Sequence, residues 1–291
     1  MSEALFESTD TGSLSTTTTS TIAPKGRSFA EPDKVVPAAR AGFTWRKSAS
    51  ARRVEEFLEL FTPEVIDQPL IRLGSKHDGG YLIPDDLDGI GYAISPGVGP
   101  VVDFDADLAA RGIEVIMLDA SVKGPPIKND RFHFKPLFLD SYVSDTTTTI
   151  DAVAAELPKD ADLLLEMDIE GAEWKVIHSL SPEVQQRFRI MAIEFHPLTE
   201  AAHKWRLPDF TSGIRKLLTT HRIVHVHLNN ASSAVRLGGH RVSDAIEVTF
   251  HRRDRSAAHP GARVSLPHPL DTVNLPILPD HKPPRIWGGS R

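Results

Sequence analysis

The chain of 291 residues contains no cysteine at all. That excludes a disulfide framework, a thiolate metal centre and a cysteine nucleophile, and leaves histidine and carboxylate to carry any chemistry. Apolar runs of bilayer-spanning length are also missing, so no membrane span is predicted. The start, MSEALFESTDTGSLSTTTTS, lacks the basic, then apolar, character of a secretory leader, and the expected location is the cytoplasm. Basic residues do not dominate either: the formal net charge is -6, which argues against a nucleic-acid binder that works by counterion release. What is present is a 40% apolar complement, enough to bury a substantial core.

Residues 1–48 are rich in Ser, Thr, Pro and Ala without sustained hydrophobic periodicity, which predicts a disordered tail. Val54, Phe57, Leu58 and Phe61 then recur at helical spacing, so a helix opens a main domain over 49–253. Within it, apolar strand patterns near Ile90–Ser95, Glu114–Leu118, Arg131–Lys135, Asp162–Met167 and Ile190–Phe195 are interleaved with helical patterns over Val101–Arg111, Thr148–Leu157, Glu170–Leu180 and Asp209–Thr220. That alternation predicts an α/β fold, doubly wound around a mostly parallel Rossmann-like sheet. No helix separates the last two strands, Arg222–Leu228 and Asp244–His251, so they are expected as an antiparallel pair at one edge. Residues 254–291 form a Pro-rich C-terminal extension, either an extended wrap or a tail, with a lid over the site or a reach to a neighbouring subunit as its functional versions.

Leu163–Met167 is too apolar for a strand with a wet face, and it stops at Asp168, with Glu170 and Glu173 close behind. Open parallel sheets hold ligands beyond the carboxyl ends of their strands, which is where this acid stands. A helix-capping role for Asp168 is the structural alternative. Earlier in the chain, SPGVGP places Gly97 and Gly99 after a strand, and Asp119 ends the next strand about 20 residues on, where a carboxylate accepts ribose hydroxyls. Val102 stands where a dinucleotide fingerprint has its third small residue, so the full pyrophosphate cradle is not present, and the loop, helix and strand-end acid indicate a nucleoside ligand without committing to its phosphates.

These segments resemble the FkbM-like family of class I S-adenosylmethionine-dependent methyltransferases. DIEGAE at 168–173 is similar to its D-x-E-G-A-E signature, and RLGSKHDGGYLI at 72–83 to an R-x-G-x-x-x-D-G-G-Y segment. ISPGVGPVVDFD through LDAS, and HLNN followed by AIEVTF, resemble further family elements, so the likeness covers roughly 70–252. The resemblance implies that Gly97, Gly99 and Asp119 contact S-adenosylmethionine, with Ser95, Asp78 and Tyr81 as further candidates. It also implies that His227 and Asn230 face substrate or cofactor.

At the reacting end, Glu194 and His196 lie two apart at a strand end, and His225, His227 and Asn229 form another such row. With a parallel sheet, Asp168, Glu194, His196, His227 and Asn229 converge on one rim. Methyl transfer to a hydroxyl needs a positioned acceptor and a proton acceptor. His196 or His227 is the expected base, oriented by Glu194 or Asp168. The alternative is a divalent cation such as magnesium, held by Asp168, Glu194 and a histidine. The predicted function is O-methylation of a sugar, glycolipid or secondary metabolite, by a monomer or homo-oligomer. A nucleotide-dependent oxidoreductase and a non-catalytic binding module are the competing readings.

Overall fold

The computed structural model describes Val36–Pro37 and residues 48–288. The rest of the predicted tail over 1–48 lies outside the described residues. Seven strands form the central sheet: β1 (Ile90–Pro96), β2 (Glu114–Leu118), β3 (Phe132–Lys135), β4 (Asp162–Met167), β5 (Phe188–Phe195), β6 (His221–Leu228) and β7 (Ile246–Arg252). Their order across the sheet is 3-2-1-4-5-7-6. Strands β1–β5 pair in parallel, whereas β7 runs antiparallel to both β5 and β6. The last two strands therefore do form an antiparallel pair, and β7 inserts between β5 and β6. Because β7 reverses once against each neighbour, β6 points the same way as β5, and the carboxyl ends of β4, β5 and β6 share one edge.

Every residue of β5 and β6 is buried, as expected for strands covered on both faces. One face carries α1 (Ala51–Glu59), α3 (Ile150–Ala155), α4 (Glu173–Ser179) and α5 (Leu207–Leu218), with Trp174 stacked on Phe210 at 4.0 Å between ring centroids and packed on Phe195. The other face carries α2 (Asp103–Ala110) and a hairpin of Leu70–Gly74 with Gly80–Pro84, whose Tyr81 meets Phe104 edge-on at 5.3 Å. Successive β1 residues Ala93 and Ile94 fall in opposite layers, as strand alternation requires.

The helix predicted from Glu170 begins at Glu173 instead. Glu170 has φ 56° and Gly171 φ 106°, so the chain turns through left-handed conformations before the helix can start. Asp168 does not cap it, since the residue before α4 is Ala172 and makes no side-chain cap. The Pro-rich C-terminal segment crosses the carboxyl edge and ends with Trp287 buried against Phe61, its indole N–H donating to the Leu58 carbonyl at 2.6 Å. No helix among the described residues is long and apolar enough to cross a membrane.

Candidate active site

The carboxyl ends of β4 and β5 meet at His196, one residue beyond β5. Its Nδ1 stands 3.3 Å from Glu173 Oε1 and 3.9 Å from Asp168 Oδ1, while Nε2 stands 3.2 Å from Glu194 Oε1. Glu194 also accepts from Asn229 Nδ2 at 2.7 Å. Glu173 is fully buried, and its Oε1 accepts the backbone N–H groups of Ile169 and Gly171 as well, fixing the turn that presents Asp168. Asp168, Glu194, His196 and Asn229 are thus brought together. His227 lies further along the edge: in the sheet register it faces Glu247, which on its other side faces Glu194.

The C-terminal segment supplies the partners of that second row. Asn274 donates from Nδ2 to Glu247 and to Asp78 Oδ1, while its Oδ1 lies 3.1 Å from His227 Nε2. Asp271 Oδ1 lies 2.9 Å from His225 Nε2 and 3.8 Å from His227 Nδ1. Asn230, implied to face substrate or cofactor, instead grips the segment, donating to the Leu275 and Leu278 carbonyls and accepting from the Leu275 N–H.

These neighbours set the charges. Burial disfavours the His196 imidazolium, but its bonds to Glu173 and Glu194 outweigh that and push the pKa up to about 11. His227 is raised to about 9, where Asp271 and Glu247 overcome burial. Both histidines expected as the base are therefore cations at neutral pH. Burial, then the Glu194 charge, raises Asp168 to about 8, against the lowering influence of His196. Glu194 and Glu247 are raised by burial as well. Asp168 Oδ1 is buried and has no hydrogen-bond partner among the described residues.

The glycine end divides. Gly97, with φ 96°, is packed so closely that an added Cβ would sit 1.8 Å from the Asp168 carbonyl oxygen, so the close approach there is to protein backbone. A Cβ on Gly99 would meet nothing nearer than 3.9 Å. Asp119 stands after β2 and ties the loop, accepting from Val98 N at 3.0 Å and Ser121 N at 2.6 Å. Ser95 is 3% exposed and donates to Glu166 Oε2 at 2.9 Å, and Tyr81 is buried beside the same carboxyl. Those two hydroxyls serve the floor behind the loop. Asp78 belongs with Glu194 and Glu247, not with Asp119: one oxygen of each of the three acids lies within 4.8 Å of the others.

Asp168, Glu173 and His196 likewise present one ligand atom each within 4.8 Å. Both ring nitrogens of His196, however, face carboxylates, as in an imidazolium, and the Asn274 amide already donates into the Asp78 and Glu247 pair. The donor set fits protonated or amide bridges better than a metal ion.

Glu247, Asp271 and Asn274 escaped sequence reasoning. Glu247 sits inside AIEVTF and gains meaning only from its register opposite Glu194 and His227. Asp271 and Asn274 lie in a segment without periodicity, and the acid and amide flanked by prolines carry no signal of their own.

The fold is an α/β arrangement around a mostly parallel seven-stranded sheet with an acidic carboxyl edge. Residues 93–222 match the family model of the methyltransferase FkbM domain, which supports S-adenosylmethionine-dependent methyl transfer. No curated protein matches the chain significantly. Similar solved structures include a Methanococcus jannaschii fibrillarin pre-rRNA processing protein, 11% identical with a TM-score of 0.34 over 64% of this chain and 83% of that one. A SAM-dependent methyltransferase from Agrobacterium tumefaciens is 10% identical, with a TM-score of 0.29 over 56% of this chain and 57% of its own. Mitomycin 7-O-methyltransferase is 12% identical, with a TM-score of 0.27 over 57% and 50%.

Proposed function

We propose that the chain methylates a hydroxyl of a sugar, glycolipid or other secondary metabolite, with Asp168 as the proton acceptor. The observation that carries this reading is the Asp168 carboxyl: it follows β4 on the ligand-holding edge, leaves Oδ1 without a hydrogen bond, and titrates at about 8. A general base works best with a pKa near the operating pH, which Asp168 meets and His196 does not. S-adenosylmethionine, when bound, supplies an electrophilic methyl group on a sulfonium. Gly99, whose surroundings are open, and Asp119 at the end of β2 are the residues that would hold its nucleoside. Asp168 Oδ1 takes the acceptor hydroxyl proton, and the His196 cation, fixed by Glu173 and Glu194, steadies the carboxylate that must do so. His196 and His227 act through charge, not as bases, and the step needs no metal.

The test is calorimetric titration with S-adenosylmethionine, followed by incubation with methyl-labelled cofactor and a panel of hydroxylated acceptors in the presence of a chelator. Saturable binding and chelator-resistant transfer of label to oxygen support the reading. Absence of binding, or transfer only on adding magnesium, overturns it.

A further inference from the structure

Two adjacent residues of α4 hold His196, one by its ring and one by its backbone. Glu173 stands 3.3 Å from the ring at Nδ1, and the Trp174 indole N–H donates to the His196 carbonyl at 2.9 Å. The carbonyl sits where the sheet no longer supplies a partner. His196 lies one residue past the last rung between β5 and β7, which pairs Phe195 with Ile246, and Pro197 behind it has no N–H. The chain is next tied at Leu198, whose N–H donates to the Asp244 carbonyl at 2.9 Å. Between those two points the indole is the hold on the His196 peptide.

Packing fixes the indole in turn. Trp174 is 2% exposed, stacked on Phe210 with 5° between the ring planes, and 4.7 Å from Phe195 between centroids. Apolar filling alone asks only for a large ring at this position, whereas a buried indole adds a donor that has to be met. That donor meets the one residue whose ring lies among Glu173, Glu194 and Asp168, at 3.3, 3.2 and 3.9 Å. Contacts of 3.2 and 3.3 Å are already at the long end of the hydrogen-bond range. A small shift of the His196 peptide therefore takes the imidazole off its carboxylates together.

We propose that Trp174 is a positioning residue for methyl transfer, which acts through the His196 carbonyl to hold the imidazole against Glu173, Glu194 and Asp168. The inference rests on the reading of Asp168 and His196 as the reacting end of the site, and adds the residue that sets their spacing. The experiment uses the full chain with isotope-labelled histidine and compares wild type, Trp174→Phe and Phe210→Leu by magnetic resonance and by methyl transfer from labelled S-adenosylmethionine. Trp174→Phe keeps an aromatic ring and withdraws the donor, whereas Phe210→Leu withdraws the stack and keeps the donor. In wild type at neutral pH the His196 ring, recognised by its loss in His196→Gln, shows two hydrogen-bonded N–H protons. Trp174→Phe should lose both to exchange with water and lower kcat by roughly 10- to 100-fold at a nearly constant KM. Phe210→Leu should lower the melting temperature by a few degrees and leave both protons in place. A chain with benzothienylalanine at position 174, sulfur replacing the indole N–H, repeats the test with the packing kept should the Phe variant not fold. His196 protons unmoved by loss of the indole N–H, or disturbed equally by Phe210→Leu, overturn the inference and leave the Asp168 reading standing. Displaced protons with unchanged transfer remove His196 from the reacting end, and this inference with it.

Discussion

Asp168 carries opposite demands in one residue. Its backbone oxygen receives the close approach of Gly97, and its side chain is raised to about 8 by burial and then by Glu194, against the lowering influence of His196. Acting as a base, it must be ionised, so turnover should rise with pH and level off above about 8. Below that value it should fall by roughly tenfold per unit. Asp168→Asn keeps the shape and removes the proton acceptor. Labelled-methyl transfer should drop by roughly 100-fold or more, and the residual rate should lose this limb of the profile. Gly97→Ala tests the other demand. At φ 96° any side chain is strained, and here Cβ also collides with the turn. A loss of roughly 2–4 kcal/mol is expected, read as a lower melting temperature together with weaker S-adenosylmethionine binding. The sequence located Asp168, Glu194 and His196 because polar residues closing apolar strands stand out. It did not reveal how they share charge, because that depends on how two glutamates from different elements meet one imidazole.

At the scale of elements, strand limits were legible wherever an apolar run is bounded by turn residues: Glu114–Leu118 and Asp162–Met167 lie where the pattern put them. The start of α4 was not, because helical periodicity cannot register two left-handed residues ahead of it. Least legible was the C-terminal segment, where prolines erase periodicity and function rests on single side chains. Asn274 is 5% exposed and joins Glu247, Asp78 and His227, three groups from three separate elements. Asn274→Leu fills the same space and withdraws both donor and acceptor. Buried polar partners left unpaired should cost roughly 1–3 kcal/mol, seen as a lower denaturant midpoint at unchanged slope. A change in slope instead would mean that the segment comes off the sheet edge as a unit, which the Asn230 clamps and buried Trp287 oppose.

Across the whole molecule, acids of opposite character occupy opposite ends of the sheet. At the amino edge, burial works against the Asp86 carboxylate, but hydrogen bonds from Arg255 and His251 and the charge of Arg189 prevail and lower it from 3.8 to about 2. Burial works against the Asp162 carboxylate too, but its bonds to Arg252 and Arg189 prevail and lower it. A depressed acid contributes stability that is present above its unfolded value and lost as pH falls through its folded one. This end of the molecule therefore weakens between about 4 and 2. At the carboxyl edge the sign reverses. Asp168 is raised from 3.8 to about 8, and its neutral form favours folding fully below 3.8, a contribution lost as pH climbs through 8. Asp105 behind the glycine loop, raised by burial to about 6, behaves alike. His196 adds in the same direction, with stabilisation complete below 6.5 and fading toward 11. Melting temperature against pH should consequently peak on the acid side of neutrality, at about 4–6, and decline on both flanks. Calorimetry of wild type and two variants checks the assignment. Asp86→Asn should flatten the acid flank, and Asp168→Asn should make the alkaline one shallower, with Asp105 and His196 still contributing there. A peak at or above pH 8 would mean that the rim acids are ionised without cost, and the assignment of Asp168 as a base tuned by burial would fall with it.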